Sequence, residues 1–136
     1  MRALALDVGE KRIGVAMSDP LGITAQPVTT IHRKIRRDDI AQIVDIIKTN
    51  GVDTVVCGLP KNMDGSEGFQ AEETRLFAQA LKEASGMEVV FVDERLTTAS
   101  ARRTLIEGGV RRDKRKGVID KIAAVYILET YLAKQR

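Results

Sequence analysis

The sequence predicts an α/β fold: a mixed five-stranded sheet, antiparallel at its leading hairpin and parallel afterwards, with helices on both faces. Three observations carry that prediction. The first third alternates apolar and small residues at strand period around a glycine turn. The second half switches repeatedly between helical spacing and short apolar runs, which implies right-handed crossovers and parallel pairing. The composition of the 136 residues, 43% hydrophobic and 30% charged with 11 Gly and 3 Pro, is that of an ordinary globular protein. A chain of this length buries roughly two-thirds of its unfolded surface, so one core is available without disulfides or a structural metal. No low-complexity linker or internal repeat divides it, and a single domain over 1–136 is expected.

Residues 3–8 and 12–18 read as two strands joined by the Gly9-Glu10-Lys11 turn, and a third covers 25–32, with Pro27 marking an edge or a strand start. Asp38 and Asp39 are N-cap candidates, with Gln42 completing a capping-box spacing. Ile40, Ile43, Val44 and Ile47 repeat at helical spacing until Asn50-Gly51 ends the helix. Residues 53–58 form a continuous apolar run, the kind buried on both faces of a parallel sheet. After a turn-rich loop over 59–68, a helix runs to about residue 84, with Phe69, Leu76, Phe77, Ala80 and Leu81 expected in the core. Residues 89–92 read as another buried strand ending at Asp93-Glu94-Arg95. Thr97 or Thr98 caps a helix to Ile106, Gly108-Gly109 stops it, and a basic loop leads to a last helix over about 117–133.

Three carboxylates stand where chemistry could sit. Asp7 shares a strand face with Ala3 and Ala5, opposite a similarly small face of Gly14, Ala16 and Ser18, which leaves room above it for a metal ion or a phosphate. The plain alternative is an aspartate ending a strand before a turn. Asp93 and Glu94 lie at the carboxyl end of a parallel strand, where ligands bind in open α/β sheets. Alternation sends them to opposite sides, so one of the two joins Asp7, and spacing alone does not choose. Asp120 falls in the first turn expected for the last helix, beside Ala123 and Ala124. A macrodipole role there is worth about 0.3–1 kcal/mol and would explain it equally well. Together the three suit a hard divalent cation, Mg²⁺ or Mn²⁺. Two such ions about 3.5–4 Å apart can drive phosphodiester cleavage without a histidine, cysteine or serine nucleophile.

What the chain lacks agrees with that chemistry. His32 is the single histidine and Cys57 the single cysteine, so zinc spacing and histidine-dependent triads are excluded apart from a Cys57–His32 pair. That pair reads more simply as a core thiol and a surface imidazole. No apolar run approaches membrane-spanning length and the N-terminus enters a strand pattern directly, so no membrane role and a reducing, cytoplasmic compartment are expected. The net charge of +3 permits nucleic acid without demanding it. Its distribution says more: Arg102, Arg103, Arg111, Arg112, Lys114, Arg115, Lys116 and Lys121 face only Glu107, Asp113 and Asp120 locally, an electrostatic footprint for a phosphate backbone. Lys11 and Arg12 add positive charge beside Asp7. Three Phe, two Tyr and no Trp leave few stacking platforms, so backbone and shape recognition is expected.

These residues together resemble the YqgF family of Holliday-junction-resolvase-like proteins and pre-16S rRNA nucleases. The resemblance runs along nearly the whole chain. It includes residues 6–16 (Leu-Asp-Val-Gly-Glu-Lys-Arg-Ile-Gly-Val-Ala), Gly58-Leu59-Pro60 and residues 63–68 (Met-Asp-Gly-Ser-Glu-Gly). Later blocks are residues 93–98 (Asp-Glu-Arg-Leu-Thr-Thr), Lys116-Gly117, Ile119-Asp120 and Ala123-Ala124. It implies a ribonuclease-H-like fold, a metal-dependent nuclease site with Asp7, Glu94 and Asp120 as its acids, and a role in maturing the 5′ end of 16S ribosomal RNA, with ribosomal precursor particles as partners. Phosphate positioning then falls to Lys11, Arg12, Arg95 and the basic residues of 102–116. The better-defined junction resolvases are similar in fold but carry a fourth acid one helical turn beyond the third, where this chain has Ala123 or Ala124. Structured or single-stranded RNA is therefore expected over a four-way DNA junction. Two other classes remain as alternatives: a non-catalytic nucleic-acid-binding factor in ribosome assembly or transcription, and a sugar-kinase or actin-like nucleotide site built on Asp7-Val8-Gly9. The latter needs two such domains.

Overall fold

The alternation of β1 (Ala3–Val8) decides how the molecule is layered. In the computed structural model, which describes residues 1–94 and 112–135 with the backbone alone over 112–117, Leu4, Leu6 and Val8 face one side of the sheet. They pack there with Ile13 and Val15 of β2 (Arg12–Ser18) and Val55 and Cys57 of β4 (Thr54–Leu59). Ile40, Ile43 and Ile47 of α1 (Arg36–Asn50) and Phe77 and Leu81 of α2 (Phe69–Ser85) cover that face. Ala3 and Ala5 face the other side, joined by Ala16, Val56 and Val92, and are covered by Ala124, Ile127, Leu128 and Leu132 of α3 (Arg112–Gln135). Each large apolar side chain so enclosed contributes about 1.5–3 kcal/mol. Helices lie on both faces, as the sequence predicts.

The sheet order is β3-β2-β1-β4-β5, with β3 (Ala25–His32) and β5 (Val89–Asp93) at the edges. β1 pairs with β2, and β2 with β3, antiparallel; β1 with β4, and β4 with β5, parallel. Pro27 sits on edge strand β3 at a register shift, where a missing N–H costs little.

Several local expectations need correction. β5 is an edge strand rather than a fully buried one: Val90 is 40% exposed because, among the described elements, α3 lies chiefly over β1, β2 and β3. Phe69 and Leu76 are exposed, at 76% and 48%, not in the core. The buried stripe of α2 runs through Ala71, Thr74, Ala78 and Leu81, and Phe69 lies about 200° around the helix from Ala71. α3 begins at Arg112, so the basic stretch from residue 112 to 116 is helix rather than loop. Arginine and lysine are good helix formers and the lone Gly117 is too weak a breaker to stop them. The helix expected from Thr97 or Thr98 to Ile106 lies outside the described residues.

The start of α1 also differs. The helix opens at Arg36, with Ile35 as its N-cap residue and no side-chain cap. Asp39 is not a cap but a fully buried carboxylate inside the first turn, where it accepts a hydrogen bond from the Lys34 backbone N–H at 3.1 Å and faces Arg33 Nε at 3.5 Å. Arg33 in turn donates to the Gly9 carbonyl at 2.8 Å and lies over the Phe77 ring at 5.3 Å. One buried acid thus ties α1, the end of β3 and the β1–β2 turn together. Asp39→Ala is expected to cost about 1–3 kcal/mol by leaving those donors without their acceptor. Chemical denaturation should read this as a lower midpoint with an unchanged slope.

Candidate active site

Asp7 stands near the end of β1, on the α3 face, paired in register with Gly14. Glu94 follows β5 directly, two residues beyond Val92, which is buried among the residues under α3. Strand alternation therefore brings Glu94, and not Asp93, to the face that holds Asp7. The two carboxyl groups are joined by a side-chain hydrogen bond. Between their strands lies Gly58 of β4, paired with Val92. A Cβ there would stand 2.5 Å from the Ile127 Cδ1, which would have to shift, and in ordinary contact, at 3.5 Å, with the Glu94 Cδ. A glycine inside an apolar strand signals such close approach.

The electrostatics follow from that geometry. Burial, then the hydrogen bond and charge of Glu94, then the charge of Asp120, raise the Asp7 carboxyl well above the ordinary carboxylate range. Charge on Asp7 is thus disfavoured, and a proton or a cation at Asp7 relieves that cost.

Asp120 is placed by α3. Because the helix starts at Arg112, Asp120 lies about two turns inside it and not in the first turn. The macrodipole explanation for this acid therefore fails, since that effect fades within one turn. The open space expected above the small-residue floor is also absent. α3 fills it: a Cβ on Gly14 would overlap the Asp120 backbone carbonyl, and Ala123 and Ala124 are fully buried. The small residues of β1 and β2 are there to let a helix approach. What that approach does is carry Asp120 to the Asp7 end of the sheet. Its Oδ2 is held by Arg12 Nε at 2.6 Å, with both side chains largely enclosed.

Oxygen-only ligands of this kind fit a hard divalent cation. Two carboxyls, Asp7 and Glu94, already face one another, while Asp120 is turned to Arg12. Consistent with that, no group of three His, Cys, Asp or Glu side chains converges as a cation site among the described residues. Arg12 thus supplies beside Asp120 the positive charge that a cation would bring.

The other expected site residues divide. Arg12 joins the acids; Lys11, one residue away, lines a separate groove beside His32 and Phe69. Arg95, Arg102, Arg103 and Arg111 lie outside the described residues. Arg112, Lys114, Arg115 and Lys116 are on the first turns of α3, on the N-terminal side of Asp120. Cys57 is buried and its thiol is pushed up by burial and by Asp7 and Glu94, whereas His32 is exposed, so the two form no catalytic pair. Sequence reasoning missed Gly14 and Gly58 as spacing residues, and Gln70, whose Nε2 donates to the Val8 carbonyl at 3.1 Å and moors α2 beside Asp7.

A family model described as RuvX, Holliday junction resolvase, matches residues 1–134. A protein of Clostridium acetobutylicum named "Putative pre-16S rRNA nuclease" is 50% identical over 97% of this chain and 98% of its own length. One of the same name from Moorella thermoacetica is 52% identical over 97% and 94%. Among solved structures, Thermus thermophilus RuvC in complex with a Holliday junction superposes with a TM-score of 0.63 at 10% identity, covering 99% of this chain and 96% of that one. The Fowlpox virus resolvase bound to junction DNA does so at 0.58 and 13% identity, covering 99% of each. These likenesses establish the ribonuclease-H-like fold that the motifs implied. With the family model spanning nearly every residue and half of all positions shared with full-length relatives, the chain belongs to the RuvX family.

Proposed function

We propose that this protein is a nuclease dependent on Mg²⁺ or Mn²⁺, acting in the cytoplasm on phosphodiester bonds at the 5′ end of precursor 16S ribosomal RNA. The observation that carries this reading is the hydrogen-bonded Asp7–Glu94 pair, with Asp120 brought within electrostatic reach from a third element. A half-buried pair of facing acids is costly to maintain and serves little purpose in a structural core. Asp7, Glu94 and Asp120 would hold the metal ions. When bound, such ions orient the scissile phosphate, favour ionisation of the attacking water and stabilise the leaving oxygen. The names carried by the relatives support RNA as the substrate.

The remaining work falls to side chains of this chain. With a cation held at Asp120, Arg12 would be free to turn its guanidinium to a substrate phosphate, for which its fork geometry is suited. Lys11, Arg95 and the basic residues between 102 and 116 hold the flanking backbone.

The test is a cleavage time course on a labelled precursor 16S fragment, a generic single-stranded RNA and a four-way DNA junction, with Mn²⁺ or with EDTA. Cutting of the precursor only with metal, lost in Glu94→Gln, is expected. Efficient cutting of the junction instead would replace the RNA reading with the resolvase activity that names the family model. Binding of RNA without cutting in any lane would assign the protein to ribosome assembly as a non-catalytic factor.

A further inference from the structure

Phe69 is the aromatic side chain that burial does not explain. It opens α2, is 76% exposed, and forms one wall of a groove of about 680 Å³, a volume that suits a nucleotide. The opposite wall is basic, made by Lys11, His32, Arg33 and Lys34. We propose that this groove binds a single-stranded stretch of nucleic acid flanking the cleaved bond, with one base stacked on Phe69 and the adjoining phosphates on Lys11 and Lys34. The proposal rests on the nuclease reading and adds to it where the uncut strand runs.

Rigidity favours this use. Arg33 is fixed by the Gly9 carbonyl, by Asp39 and by the Phe77 ring, so it shapes the groove, leaving the exposed Lys11 and Lys34 to meet a phosphate. Two acids also line it. Glu73 is paired with Arg36 at 3.4 Å, which leaves Glu10 as the acid that a phosphate path must avoid. The groove adjoins the strand end that carries Asp7: Gln70, one of its lining residues, donates to the carbonyl of Val8, the residue after Asp7. An exposed ring offers nothing to a duplex, whose bases are already stacked, but it captures an unpaired base of any identity. A lone ring flanked by lysines therefore selects single strands without selecting sequence.

The chain contains no tryptophan, so Phe69→Trp places one reporter in the groove. In EDTA, where the strand is not cut, a short single-stranded RNA is expected to quench its emission and the duplex of the same sequence is not. By fluorescence anisotropy Phe69→Ala should bind the single strand about 5- to 100-fold more weakly than the unsubstituted protein. Equal binding by Phe69→Ala, or an unchanged Trp emission while the strand is bound, overturns the groove and leaves the nuclease reading standing on its cleavage assay. Equal quenching by the duplex overturns the single-strand assignment. A protein that neither binds nor cuts RNA removes both.

Discussion

Asp7→Asn is expected to abolish metal-dependent cleavage and, in the same protein without metal, to raise stability at neutral pH. The activity loss should exceed the roughly 10–100-fold that outer partners of a metal site are worth, because in the proposed site Asp7 is itself a ligand. The stability gain comes from the electrostatics of the pair. Asp7 binds its proton more tightly folded than unfolded, since burial and the facing Glu94 and Asp120 disfavour its charge. A carboxyl raised in this way contributes fully below the ordinary carboxylate value, and the contribution is lost as pH rises through the raised one. Above the ordinary carboxylate value the unfolded chain gives up this proton more readily than the folded one, so Asp7 is a net cost there, and the asparagine, of the same shape, removes that cost and can donate to Glu94. Thermal unfolding in EDTA, followed upward in pH from the ordinary carboxylate value, should show a falling contribution to Tm that is missing in Asp7→Asn. Added Mn²⁺ should reverse the order, stabilising the original protein by about 2.7 kcal/mol at a hundredfold excess over Kd and the variant hardly at all. Cleavage that survives the substitution, or a lower Tm in EDTA, would sink the assignment of Asp7.

How much of this was legible in the sequence varies with the kind of information each residue carries. The layering was legible because it depends on period alone: Leu4, Leu6 and Val8 against Ala3 and Ala5 announce a strand with one large and one small face. Asp7 was legible as the polar residue on the small face. The meaning of that face was not, because a floor of small residues can leave a cavity or admit a helix, and only the position of α3 decides which. The boundary of α3 hid a further fact: read as starting near 117, the helix gives Asp120 an ordinary terminal role, and starting at Arg112 it does not. Phe69 misled because aromatic identity and helical spacing both point to a core. The stripe through Ala71, Thr74, Ala78 and Leu81 leaves it outside, yet Ala and Thr carry too weak an apolar signal to orient the helix from sequence. Arg12–Asp120 joins residues 108 positions apart, and no local pattern encodes such a pair.

Gly14→Ala is the second large effect, and it separates what holds the site from what performs its chemistry. The added methyl would occupy the place of the Asp120 backbone carbonyl, and backbone cannot rotate away as a side-chain tip can. α3 must lift from β2. Overpacking of this kind costs about 1–3 kcal/mol where neighbours can adjust, and a loss at or above the top of that range is expected here. Lifting α3 also moves Asp120 from Arg12 and from the Asp7 end of the sheet, so activity should fall even at temperatures where the variant remains folded. Gly51→Ala supplies the contrast. Gly51 ends α1 at a φ of 64°, with nothing within 4 Å of its would-be Cβ. An alanine there pays about 1–2 kcal/mol of left-handed backbone strain and touches nothing in the site. Circular dichroism melts with cleavage rates measured well below each Tm distinguish the two: Gly51→Ala should lose stability alone, Gly14→Ala both. If Gly14→Ala loses stability but cuts at the normal rate once folded, then α3 does not set the position of Asp120, and the third acid must be sought elsewhere.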